Sequence, residues 1–162
     1  MRPQPDCLGH LDVSPPLNAA EATYLRTLRP PLDPDDVGSA LGRPASGCCW
    51  TVCREGCCLL LDEVTRNGDE VAWLRWIISH LLKRGADAAR SRNLRFDRFT
   101  FDHTVSGVVV GSRGRGELFA LTVRANRVSE RLLTATPQAR PSGRHGARAV
   151  VIDLATRRPT RR

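Results

Sequence analysis

Residues 48–63 read CCWTVCREGCCLLLDE, and the way this stretch folds decides how the rest of the chain must fold. Cys48–Cys53 and Cys57–Glu63 are β-prone runs. Between them, Arg54-Glu55-Gly56 supplies a three-residue turn with glycine where a positive φ is often required. A hairpin at this point leaves one helical stretch before it and one after it, so both helices need cover from a sheet that contains the hairpin. Five of the six cysteines lie between Cys48 and Cys58, so the same hairpin also poses the chemical question.

Toward the N-terminus, residues 8–17 (LGHLDVSPPL) alternate Leu8, His10 and Asp12 against Gly9, Leu11 and Val13, which predicts a strand ending at Pro15 and Pro16. Asn18 followed by Glu21 has the spacing of a capping box and starts a helix that stops before Pro30 and Pro31. Residues 29–47, rich in proline and glycine, read as a loop. Past the hairpin, Val71, Leu74, Ile77, Ile78 and Leu81 recur at helical spacing. Asn67 and Glu70 form a second capping-box pair ahead of them, and Gly85 sits where the helix should stop. Residues 95–112 and 116–128 then read as two strands joined across SRGRG.

The order β-α-β-β-α-β-β predicts an α+β fold, a two-layer sandwich of a mainly antiparallel sheet with both helices on one face. Its first six elements match a ferredoxin-like unit. The expected organisation is a single domain over residues 1–136 and a basic C-terminal extension over 137–162, with a candidate terminal strand at 147–155.

At 162 residues, 41% hydrophobic and 26% charged, the chain suits one soluble globule with its own core. No apolar run reaches the roughly 18 residues of a membrane helix. The longest, VAWLRWIISHLL, contains Arg75 and His80, and the N-terminal residues lack the continuous apolar stretch of a signal peptide. A cytoplasmic, reducing compartment is the expectation, where cysteines are free thiols, metal ligands or transient redox groups. Of the net charge of +8, residues 137–162 carry +6 from seven arginines and one aspartate, which leaves +2 for the body. Arg157, Arg158, Arg161 and Arg162 are therefore the candidates for weak, sequence-independent contact with nucleic acid or another polyanion. Residues 137–162 hold no aromatic side chain for base stacking, so a solvated basic tail ranks ahead of a binding tail.

Four stretches in this order, LDVSPPLNAAEATYLRTL (11–28), CCWTVCREGCCL (48–59), VAWLRWIISHLLKRGADAA (71–89) and FDRFTFDHTVSGVVVG with ELFALTVRANRV (96–111 and 117–128), resemble a family of small actinobacterial proteins. The likeness covers roughly residues 8–133 and implies no activity. The chain departs from the pattern in a short loop before the hairpin and in DEVTRNGDEV ahead of the second helix.

Three site readings compete. With Arg54-Glu55-Gly56 as the turn, Cys53 faces Cys57 across the hairpin, and His103 is a candidate third ligand for zinc. Cys49, four residues back, stands about 13 Å away along a strand and is excluded from that site. No C-x2-C pair is matched by a second such pair, so packed free thiols rank ahead of zinc, with reversible Cys53–Cys57 pairing as a further alternative. Catalysis by a cysteine with His103 as base ranks lower, because Asp102 as a strand neighbour would point to the opposite face. On the second helix Trp73, Trp76 and His80 form a stripe beside the apolar face: an unusually wide buried face is the commoner explanation, and a protein partner or a twofold contact with a second copy is the interface reading. The function expected is a non-enzymatic protein-interaction or regulatory module without cofactor, and the alternative is a thiol- or zinc-dependent site, enzymatic or not, at the Cys48–Cys58 hairpin.

Overall fold

The computed structural model describes residues 7–29, 42–62, 68–113, 117–134, 151–152 and 159–160, the last two pairs by their backbone. The elements are β1 (Cys7–Ser14), α1 (Ala19–Thr27), β2 (Trp50–Val52), β3 (Cys58–Leu61), α2 (Glu70–Ile77), β4 (Thr104–Arg113), β5 (Glu117–Arg124) and β6 (Arg127–Leu132), with a two-stranded pair, β7 (Val151–Ile152) and β8 (Pro159–Thr160). The first six strands form one antiparallel sheet in the order β2-β3-β1-β4-β5-β6. Strands β1 and β2 both run antiparallel to β3 between them and so parallel to each other, which is the split β-α-β pattern of a ferredoxin-like unit. Strands β5 and β6 extend that unit beyond β4.

Alternation along each strand separates two faces. Leu11 and Val13 of β1, Trp50 and Val52 of β2, Leu59 and Leu61 of β3, Val105 and Val109 of β4, and Phe119, Leu121 and Val123 of β5 all point inward. Ala22 and Leu25 of α1 join this core together with Trp73, Leu74 and Ile77 of α2, so both helices cover the same face. Each fully buried large apolar side chain contributes about 1.5–3 kcal/mol. The outer face is open: Leu8, Val108, Leu118 and Leu60 are all exposed there. Among the described residues, no helix is long and apolar enough to cross a membrane.

Helix α1 starts as its sequence dictates. Asn18 accepts from the amides of Ala20 and Glu21, and Glu21 Oε2 accepts from the Asn18 amide at 2.8 Å. Helix α2 differs from expectation at both ends. Its N-cap is Asp69, without a side-chain cap bond, and Asn67 lies outside the described residues. Beyond Ile77 the chain continues as a π-helical turn over Ile78–Leu82, and Gly85 then takes φ +72 at the stop.

Three further expectations are corrected. Residues ahead of Thr104 are not a strand: Asp87–Arg90 and Leu94–Phe96 form short 3-10 turns, and Phe101 adopts φ +52. The single strand expected over 116–128 is two strands, because Ala125 (φ +46) and Asn126 (φ +70) close a two-residue hairpin turn. Asn126 is held there by β4 and the residue before it: its Oδ1 accepts from Val105 N at 2.7 Å and its Nδ2 donates to His103 O at 3.0 Å. Finally, Trp73, Trp76 and His80 are not an exposed stripe. Trp73 is fully buried, Trp76 is 5% exposed, and His80 stacks on Trp76 with centroids 4.7 Å apart. The apolar face of α2 and the turn after it takes both tryptophans and covers most of His80, because residues 87–99 fold back over it and Phe96 meets the His80 ring.

Of the terminal strand expected at 147–155, Val151–Ile152 pairs with Pro159–Thr160. The remainder of that stretch, residues 137–147 and Arg157, Arg158, Arg161 and Arg162 lie outside the described residues.

Candidate functional site

The turn between β2 and β3 is one residue longer than its sequence suggests. Strand register pairs Val52 with Leu59, and the Cys53 amide donates to Cys58 O at 3.0 Å, so Cys53 faces Cys58 rather than Cys57. The Gly56 amide closes the turn onto Cys53 O at 3.2 Å, with Gly56 at φ +75. Cys57 is the additional residue, and it brings its sulfur back over the turn to 3.6 Å from Cys53 Sγ. The sulfurs of Cys53, Cys57 and Cys58 consequently all lie within 4.8 Å of one another. Sequence spacing had suggested a pair where the fold makes a triad.

Backbone bonds hold this turn in place. Val13 N donates to Cys57 O at 2.8 Å and Leu17 N to Gly56 O at 3.0 Å. The link between β1 and α1 thus clamps the turn from beneath. A Cβ on Gly56 would stand 2.5 Å from Leu17 O, so only glycine allows this approach.

All six cysteines are free thiols, but their environments differ. Burial pushes Cys48 to about 11 and Cys49 to about 12, so both behave as packed core groups. At Cys53 the opposing effect of burial is outweighed by hydrogen bonds from the Cys58 and Cys57 thiols and from the amides of Cys58 and Cys57, leaving the thiol at about 7. The Cys58 amide lies 3.2 Å from Cys53 Sγ. Burial and the hydrogen bond to Cys53 push Cys58 to about 12, and Cys57 is raised chiefly by its own hydrogen bond to Cys53. With its thiol at about 7 and two thiols beside it, Cys53 is the cysteine of this group that ionises most readily, and the thiolate is the form that ligates a soft cation.

His103 does not join this group. Its Nδ1 lies 2.7 Å from Pro15 O, and its Nε2 lies 3.0 Å from Thr100 Oγ1 and 3.1 Å from Glu21 Oε1. Both ring nitrogens are spent inside the core, where the residue is 2% exposed. Asp102 approaches it at 4.0 Å, which the irregular backbone before Thr104 permits and a strand would not. His80, unlike His103, lies at the edge of the core; burial lowers its pKa against the opposing charge of Asp87 at 3.8 Å.

Cys58 and Glu21 are the two residues that sequence reasoning missed. The Cys57-Cys58 doublet after a glycine was the available signal for the first. Glu21 had been read only as a cap. No protein-family model, characterised protein or solved structure matches the chain.

Proposed function

We propose that the protein is a small regulatory module whose working element is a zinc site on the β2–β3 turn, with Cys53, Cys57 and Cys58 as its thiolate ligands. The observation that carries this reading is the convergence of three sulfur ligand atoms within 4.8 Å on a clamped turn. Zinc bound tetrahedrally at about 2.3 Å from each sulfur separates the sulfurs by about 3.8 Å. The Cys53–Cys57 spacing of 3.6 Å is already close to that value. Thiolates select soft or borderline cations over magnesium or calcium.

The regulatory element of the reading follows from the clamp. Because Cys57 O and Gly56 O hold Val13 and Leu17, occupancy at the sulfurs acts directly on the β1–α1 connection. A catalytic role for the thiols is disfavoured, since His103 is engaged on both nitrogens and no base from it reaches the turn.

The test is native mass spectrometry of reduced, metal-free protein titrated with zinc. One retained zinc ion, lost in Cys53→Ser and in Cys58→Ser but kept in Cys7→Ser, supports the reading. A wild type that keeps no zinc while its six thiols remain countable sinks it.

A further inference from the structure

Cys53 and Cys58 alternate with the inward-facing Val52 and Leu59 and so stand on the outer face, where Cys58 is in register with Asp12 of β1. Cys53 faces Cys58 through its amide bond to Cys58 O, Cys58 pairs with Asp12, and Asp12 pairs with Ser106 of β4. These four residues form one row, from the end of β2 across β3 and β1 to β4, on the face opposite α1 and α2. The Val13 amide bonds to Cys57 O, so the neighbouring Asp12–Cys58 pair is of the non-hydrogen-bonded kind, in which side chains stand closest.

We infer that Asp12 is the fourth ligand of the site, giving one carboxylate and three thiolates around a single zinc ion. This rests on the zinc reading of the three cysteines and adds to it a residue from a different strand. Directly opposed β-carbons are about 4.5–5.5 Å apart. A sulfur–zinc–oxygen bridge, with bonds of about 2.3 Å and about 2.0–2.2 Å, spans that gap. The Asp12 carboxylate lies outside the sulfur group and is 72% exposed, so little opposes its turning toward Cys58 when the metal binds.

His10 supplies the support a ligating carboxylate needs. It sits two residues earlier on the same face, and its Nε2 is 3.3 Å from Asp12 Oδ1. If His10 keeps hold of one carboxylate oxygen as Asp12 turns, the other is left for the metal, which makes His10 a positioning residue rather than a ligand. Three thiolates and one carboxylate carry four negative charges against two on zinc. Arg26, whose Nη2 lies 3.5 Å from Cys53 O, places a cation at the rim of the site.

A structural consequence follows from the topology. Zinc held by Cys53, Cys57 and Cys58 alone staples only the β2–β3 hairpin to itself. Zinc that also holds Asp12 fastens the edge hairpin to β1, the central strand next to it, and couples occupancy to the sheet.

The experiment uses the full chain, reduced and metal-free, titrated with zinc against a chromophoric chelator, and with cobalt(II) as a spectroscopic substitute. Asp12→Ala and the isosteric Asp12→Asn are each expected to weaken zinc by at least the roughly 10–100-fold that loss of even an outer-shell partner costs. In both variants the intensity of the thiolate-to-cobalt charge-transfer band should stay at the three-sulfur level while the ligand-field bands move. His10→Ala should give a smaller loss with unmoved ligand-field bands. Unchanged affinity and unchanged cobalt bands in both Asp12 variants overturn the fourth-ligand assignment and leave the three-cysteine site standing. A wild type that binds neither metal overturns both.

Discussion

Glu21 and His103 meet inside the core, with His103 Nε2 3.1 Å from Glu21 Oε1 and their side chains 1% and 0% exposed. The same carboxylate does three jobs. Its Oε2 caps α1 through the Asn18 amide, and its Oε1 accepts from Thr100 N at 2.7 Å and Thr100 Oγ1 at 3.1 Å. It thereby ties the start of α1 to the irregular segment that leads into β4.

The pair makes a prediction about pH. Burial alone would raise Glu21, but the hydrogen bond to His103, the amides of Thr100 and Asn18, and the His103 charge hold it below the usual 4.5. Burial alone would lower His103, but its bonds to Glu21 and to Pro15 O and the Glu21 charge hold it above 6.5. A depressed carboxyl contributes stability that is present above 4.5 and is lost as pH falls through its folded value. A raised histidine contributes stability that is present below 6.5 and is lost as pH rises through its folded value. The pair therefore stabilises most between those two values. Glu21→Gln should cost about 3–5 kcal/mol by urea unfolding at pH 6. It should also flatten the pH profile, and a variant profile parallel to the wild type would refute the ion pair.

A second prediction concerns thiol reactivity. In reduced, metal-free protein Cys53 should be the first residue alkylated by iodoacetamide, with a pH midpoint near its value of about 7. Cys58→Ala removes a thiol donor to Cys53 and should move that midpoint up toward the usual 9.0. Zinc must displace the protons that Cys57 and Cys58 still hold at neutral pH, so its affinity should rise with pH. Peptide mapping that finds Cys7 or Cys49 labelled first would contradict the thiol ranking.

Gly56→Ala isolates the clamp. The left-handed φ of +75 by itself costs an alanine roughly 1–2 kcal/mol. The added Cβ also meets the backbone oxygen of Leu17 at 2.5 Å, which no rotamer change can relieve, so the turn must move. Gly68→Ala is the control, since its φ of +90 carries the conformational cost with nothing within 4 Å. Gly56→Ala should lose more stability than the control and should also return the Cys53 midpoint upward. Equal losses in the two variants would show that the contact with Leu17 does not fix the turn.

What was legible in the sequence was what depends on neighbours along the chain. The Asn18/Glu21 capping box and the alternation of Leu11 and Val13 report local pattern and stand as read; the stripe of Val71, Leu74, Ile77, Ile78 and Leu81 packs on the core as read, with its last two members on a π-helical turn. The split of β5 from β6 was hidden because Ala125 and Asn126 adopt positive φ without glycine, held by bonds from Asn126 to a strand distant in sequence. The sulfur triad was hidden by a single residue of turn length, which exchanges the partner of Cys53 from Cys57 to Cys58. Glu21 and His103 share no local pattern at all. Their pairing exists only once α1 and the approach to β4 pack together.

The last prediction separates two tryptophans that the sequence treats alike. Trp73 and Trp76 pack edge to face with centroids 5.6 Å apart, and both are buried. Trp73 Nε1 donates to Ser46 O at 3.1 Å, with Ser46 Oγ at 3.2 Å. Trp76 Nε1 is buried with no hydrogen-bond partner among the described residues. Phenylalanine at position 73 strips a donor from Ser46, whereas at position 76 it removes a donor that had nothing to bond. Trp73→Phe should therefore cost about 1–3 kcal/mol more than Trp76→Phe. Trp76→Ala, which leaves a cavity beneath the His80 ring, should cost about 3–5 kcal/mol. If Trp76 instead served a contact between copies, its alanine variant would change the sedimentation of the protein and leave monomer stability nearly intact. Urea unfolding and sedimentation velocity on the three variants decide between core and contact.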